Sequence, residues 1–430
     1  MRIKKRRLTL SNCVFSFLLI FSIVPDIGIK FSVFGFTWTA YRLTIALSII
    51  AVVFIGRKIS LFKSNPLSKW ILFMIIWLIL GGVLLLVSKY SDRHAGMIEL
   101  LSIFNGIIVI YMMSVFLASE ENLDYALKIM YWLLNFLLLF GLIEIVTGWH
   151  WRTSAFRDVN SSIYVYSNHH LATGLMYNMN DYSALITCMS PILLDSRIGK
   201  KRFITLGAIF AINIINDATT CTFAIIVFAL YYYLILKKGN ISKRVILKVV
   251  FIALCIGAVA FAIGIGFNVS ESKGFLGALS RQISNARTSS GSLYRRLVIY
   301  KDAIVAWTSF GLMGMGPAGF SNYFKENISS SGLVNPHALV FEILTQYGII
   351  IFICFIWLLL WMFRSAKKFY LTTAGRESER AVMVIAFVII YVIVSFAPSS
   401  FLGYSYQWLL IAIMCSQIGC LKKKGGIVYA

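Results

Sequence analysis

Charge is scarce in this chain. Of 430 residues only 13% are charged, and only 17 are Asp or Glu, against 59% hydrophobic. A soluble protein of this length would expose far more charge, so a water-soluble globular fold is excluded. No H-E-x-x-H spacing occurs, and the adjacent His169 and His170 would diverge by about 100° on a helix, too far to face one metal. The seven cysteines include no C-x-x-C pair and lie in or beside apolar segments, which argues against a disulfide frame or a zinc site. There is no internal repeat, no low-complexity run and no soluble domain of useful size.

What is present is a succession of apolar runs. A bilayer-crossing helix needs about 20 such residues. The runs are continuous rather than alternating, so the fold class is all-α and polytopic, not a transmembrane barrel. The pattern predicts about twelve spans within one integral membrane domain over 1–430: 8–24, 39–56, 69–88, 96–118, 125–147, 181–195, 203–217, 219–236, 248–268, 337–363, 381–397 and 403–420. The seventh and eighth are short and tightly joined, which predicts a tilted, broken or re-entrant helix. The segment 26–38 is expected to lie flat at the surface. The opening "MRIKKRRLTLSNCVFSFLLIFSIV" has no small-x-small cleavage site after its apolar run, so it is expected to stay as the first span.

The net charge of +23 is not a nucleic-acid footprint. It sits in short loops between apolar runs. If the N terminus is cytoplasmic and sides alternate, inner loops such as "RIKKRR", "DSRIGKKR" and "LKKKGG" hold roughly two thirds of the Lys and Arg, as the positive-inside rule requires. Both termini are then cytoplasmic, and the basic loops face an anionic leaflet. Two outer segments are long, 148–180 and 268–336. Their cations are mainly arginine: Arg152, Arg157, Arg281, Arg287, Arg295 and Arg296. The planar fork of arginine suits phosphate oxygens, although interfacial arginines also snorkel to lipid head groups. Within the second loop, "GSLYRRLVIYKDAIVAW" predicts an amphipathic helix capped by Ser292, with Leu297, Ile304 and Trp307 toward one side. "GLMGMGPAGF" then predicts tight turns near the surface.

The stretch "NPHALVFEILTQYGII", 335–350, carries the sharpest chemistry. Pro336 suits a helix first turn. His337 would then sit at the helix N terminus, whose dipole favours the neutral imidazole that a general base needs. The structural alternative is an interfacial histidine bound to a carbonyl. Glu342 is expensive in an apolar span without a partner, and Gln346, one turn on, is placed to bond to it. Glu144 raises the same question near the end of the fifth span, as a site residue or the partner of an arginine. His94 and His150 are expected in solvated outer turns. The outer loops hold no D-x-D pair of the kind that pins a metal against a sugar diphosphate, so no metal or other cofactor is expected. In "TGLMYNMNDYSALI", one of Asn178, Asn180 and Asp181 should cap a helix, leaving the others free for sugar binding.

These motifs, in this order, resemble the bacterial O-antigen ligase and polymerase superfamily of membrane glycosyltransferases. "GLMYNMN" is similar to its Asn-containing stretch. Arg296 with Tyr300, then "GMGPAGF", are similar to its arginine–aromatic pair and glycine turn, and "NPHALVFEILTQYGI" to its Pro-His segment. Two departures stand out: Ala338 follows the histidine in place of asparagine, and Cys221 in "TTCTF" stands where an arginine is expected, a gap that Arg281 or Arg287 would fill. The resemblance implies an oligosaccharide on polyprenyl pyrophosphate as donor, transferred with inversion and without metal. His337 would be the base, and Arg296 with Arg295 would stabilise the leaving pyrophosphate. Substrate contacts would come from Arg281, Arg287, Tyr300, Asn178, Asn180, Glu342 and Gln346. The expected setting is the bacterial plasma membrane, among lipids, with a chain-length regulator and a flippase as partners and no nucleic acid. A polymerase of capsule, exopolysaccharide or O-antigen repeat units is the leading expectation, with a glycan ligase or a lipid-linked sugar flippase as rivals.

Overall fold

The computed structural model describes residues 10–25, 27, 30–33, 36–55, 66–161, 163–164, 169–236, 292–310, 313–327, 334–398 and 400–424. The span expected at 248–268, and Arg281 and Arg287, lie outside the described residues.

Helices dominate. In chain order they are α1 (Leu10–Ile23), α2 (Ala40–Ile55), α3 (Pro66–Val87), α4 (Arg93–Phe116), α5 (Glu120–Thr147), α6 (Met179–Met189), α7 (Lys201–Ile215), α8 (Thr219–Leu236), α9 (Ser292–Ser309), α10 (Gly319–Glu326), α11 (Leu339–Thr372), α12 (Gly375–Val394) and α13 (Ser405–Lys424). Four of them, α3, α4, α5 and α11, are long and apolar enough to cross a membrane. Every apolar run read from the sequence within the described residues has a helix at its position. The described residues of the 26–38 segment include a small antiparallel pair of strands, β1 (Lys30–Val33) with β2 (Phe36–Thr39), in which Phe31 opposes Trp38.

The core is built around α13, which is buried along almost its whole length. It packs against α1, α3, α4, α5, α11 and α12. Trp408 of α13 meets Trp77 of α3 edge-on at 6.2 Å, and Phe355 of α11 closes on Trp70 at 6.0 Å. Gln407 of this helix accepts from Tyr391 at 2.8 Å and donates to the Phe401 carbonyl at 2.6 Å, so its buried amide is engaged on both sides.

The interrupted helix is α11, not the α7–α8 pair. Gly348 has φ +83° and ψ 179°, a conformation open essentially to glycine alone. The break frees carbonyls at 345 and 346, and the turn 313–318 supplies the missing donors. Met315 N–H bonds Thr345 O at 2.7 Å and Gly316 N–H bonds Gln346 O at 2.9 Å. A Cβ on Gly314 would lie 2.7 Å from Gln346 O, so the contact needs glycine. This turn, expected near the surface, is therefore buried against α11. It is also held from the α3–α4 corner, by Ser88 on the Met315 carbonyl and Ser91 on Pro317 O at 2.7 Å.

The two ends of the bundle differ. At one end the starts of α5 and α12 join the 195–197 turn. Arg380, almost fully buried, donates to Glu120 at 2.6 Å and Asp124 at 3.1 Å, while Arg376 and Arg197 also reach Asp124. At the other end lie the 88–99 corner, the 313–318 turn, His337 and the connector 395–404 between α12 and α13.

Candidate active site

The helix α9 lies across this second end. Its buried stripe is Ile299, Ala303 and Ala306, at helical spacing. Of the residues read toward one side, Leu297 is 57% and Ile304 45% exposed, and Trp307 is half-buried. Arginine at 296 lies beside that buried stripe and points to the connector. Its Nη1 donates to Phe396 O at 2.6 Å and its Nη2 to Ala397 O at 3.0 Å. Those carbonyls lie just past the C-terminal end of α12, where positive charge is favoured. Arg295 is exposed, about 100° round the helix, and does not share this placement.

His337 precedes α11 rather than opening it. The helix starts at Leu339 with Ala338 as N-cap, so Pro336 is also outside the first turn. His337 has φ +49°, the left-handed region that a non-glycine residue occupies only when its surroundings fix it. The fixing contacts are visible. Tyr300 O–H donates to His337 O at 3.0 Å while its ring stacks on Phe341 at 4.5 Å. Leu339 N–H donates to Ser395 O at 3.0 Å. That carbonyl serves the helix start where Ala338 has no capping side chain. His337 Nδ1 is closed off from solvent and has no hydrogen-bond partner among the described residues. Burial, and next the Arg296 guanidinium, lower this imidazole to about 4, so it is neutral at pH 7.

The other expected site residues divide. Asn178 is the N-cap of α6, accepting from Asp181 N–H at 3.0 Å, and Asn180 lies half-buried in its first turn. Glu342 is occupied by Ser400 Oγ–H at 2.5 Å and Phe401 N–H at 3.1 Å. Gln346 does not bond Glu342. It donates to Glu99 at 3.2 Å, joined there by Tyr347 O–H and by Ala318 N–H at 3.1 Å. Glu99, on α4, went unread in the sequence. Its signal was available, since a carboxylate inside an apolar span implies partners or function.

Glu144 takes His150, not an arginine. It accepts from Thr173 N–H at 2.7 Å, Gly174 N–H at 2.6 Å and Thr173 Oγ–H at 3.1 Å, and its Oε1 lies 3.2 Å from His150 Nδ1. His150 is only 3% exposed, not solvated, and its Nε2 bonds His169 O at 2.8 Å. His94 is exposed as expected.

Cys221, at the start of α8, lies within electrostatic reach of both Arg296 and Asp181. Among the described residues no group of three His, Cys, Asp or Glu side chains could hold a metal ion.

Fold and site together define a membrane protein of apolar helices with a cluster of histidine, arginine and buried carboxyl groups at one end. Residues 204–356, about a third of the chain, match the family model described as O-antigen ligase. The match spans Arg296, Tyr300, His337, Glu342 and Gln346, and it supports the O-antigen ligase and polymerase superfamily. No curated protein matches the chain.

Proposed function

We propose that this protein is a membrane glycosyltransferase that polymerises lipid-linked repeat units on the outer face of the bacterial plasma membrane. The observation that carries the reading is His337 Nδ1, neutral, buried and unpartnered among the described residues, beside a guanidinium held in place by two backbone carbonyls. An acceptor sugar hydroxyl gives its proton to the imidazole as its oxygen bonds the anomeric carbon. The bond from that carbon to the polyprenyl pyrophosphate breaks, and the electron pair leaves with the phosphate. Attack opposite the leaving group inverts the centre. Arg296, preorganised by the connector, faces the developing charge with its remaining N–H groups. Such a leaving group needs fixed cations rather than an acid, so no metal is required.

The base is held low until the donor arrives. Burial is the larger cause of that depression and Arg296 the smaller; the diphosphate offsets the field of Arg296 and so raises the imidazole above its resting value, and proton acceptance strengthens when the donor is bound.

The family description favours a second reading, in which the same groups pass a finished glycan to another acceptor. Incubating the purified protein with defined polyprenyl-pyrophosphate repeats, with and without a chelator, tests both. Elongation in both conditions supports the polymerase. Transfer only to an added non-repeat acceptor identifies a ligase. Movement of the lipid across a vesicle without a new glycosidic bond overturns the enzyme reading in favour of a flippase.

A further inference from the structure

The connector 395–404 spends its polar groups on three different elements. Ser395 O takes the first N–H of α11, Phe396 O and Ala397 O take Arg296 of α9, and Ser400 and Phe401 take Glu342. Further along the connector, Tyr404 lies beside Asp181 at the start of α6. One strip of chain therefore runs from the Arg296–His337 neighbourhood to Asp181, and the charges of Arg296 and Asp181 both act on Cys221.

Asp181 is 2% exposed, and its Oδ1 has no hydrogen-bond partner among the described residues. Helix capping does not account for the carboxyl, because Asn178 caps α6. A buried oxygen left without a donor is costly, and such an atom calls for a ligand that supplies one. The two poles of the site select different chemistry. Arginine has only donors and suits phosphate, whereas a carboxylate has only acceptors, repels phosphate and suits hydroxyl groups.

We propose that Asp181, beside Tyr404, is a saccharide subsite: its Oδ1 accepts a hydrogen bond from a non-reacting hydroxyl of the acceptor sugar and so positions the reacting hydroxyl at His337. This rests on the glycosyl-transfer reading above. Asp181 is a positioning residue. It binds one hydroxyl and leaves the bond-making groups to act.

The test uses the full chain in nanodiscs, with polyprenyl-pyrophosphate repeats as donor and a series of monodeoxy repeat-unit oligosaccharides as acceptors. Wild type should discriminate against one deoxy acceptor by about tenfold in kcat/KM. Asp181→Asn should raise the KM for the intact acceptor by about tenfold with kcat within threefold, and Asp181→Ala should abolish the discrimination. Tyr404→Phe should shift KM the same way by about threefold, and it carries the test alone if neither Asp181 variant folds. Discrimination that persists in Asp181→Ala, or a fall in kcat at constant KM, would overturn the subsite. If wild type makes no glycosidic bond, the glycosyl-transfer reading fails, and the subsite is judged by binding of the free repeat-unit oligosaccharide. A tenfold weaker Kd in Asp181→Ala supports it, and an unchanged Kd sinks it.

Discussion

Glu144 and Asp181 are both buried carboxyls near the same end of the bundle, yet they are built differently. Both oxygens of Glu144 are filled by backbone and side-chain groups, and both nitrogens of its neighbour His150 are engaged. Asp181 lies beside Tyr404, with its Oδ1 open among the described residues. His337 shows the same openness at Nδ1. Saturation marks scaffold, because a filled carboxylate repays its desolvation within the fold. An open polar atom on a residue held by other contacts marks a place left for something else.

Four measurements would break or sharpen that contrast. The largest effect is expected at His337. His337→Ala should lower turnover by about a thousandfold, the scale of a general base, with little change in Tm. In wild type, kcat/KM for the donor should fall as pH drops through about 4, the value set by burial and Arg296. The neutral form is the active one, so activity is lost on the acid side. The acid limb of kcat should lie at higher pH, because bound diphosphate offsets Arg296. Coincident limbs would remove the substrate-raised base.

Arg296→Ala should cost about a hundredfold in turnover, and Arg296→Lys nearly as much, because a lysine ammonium cannot span two carbonyls and a phosphate together. Near-normal rates in the lysine variant would reduce the role to simple charge.

Glu144→Ala should act on stability. It strands Thr173 N–H, Gly174 N–H and the His150 ring, at a cost of about 2–4 kcal/mol, visible as a lower Tm in detergent. Turnover per folded molecule should stay near wild type. Lost turnover at unchanged Tm would mean that a saturated cluster can still take part in chemistry.

The smallest effect is expected at Ala338. Ala338→Asn would place a capping side chain at the start of α11 and stabilise by about 0.5–1 kcal/mol, read as a modest rise in Tm. No gain would show that the Ser395 carbonyl already meets the need.

The helices were legible because membrane-length apolar runs leave little alternative, and α9 was legible as a helix from its sequence pattern. Which of its residues are buried was not: the buried stripe is Ile299 with the small Ala303 and Ala306, while Leu297 and Ile304 are exposed. His337 and Arg296 could be singled out from the residues around them. The partners of Glu342, Gln346 and Glu144 could not, because a carboxylate's donors come from segments far away in the chain. Gln346 pairs with a residue 247 positions earlier, and no local rule reaches that far.

The sequence by itself determined that this is a predominantly helical membrane chain, through the length of its apolar runs, and that arginine, histidine and glycine turns gather in a few of its connecting segments. Only the tertiary structure decided which of those groups meet. It broke α11 at Gly348, fitted the glycine turn into the break and laid the 395–404 connector across Arg296, Glu342 and Asp181. Hydrophobic burial is cheap to read because it sums along the chain, whereas a polar site depends on a few directional bonds between distant residues, and those exist only once the chain is packed.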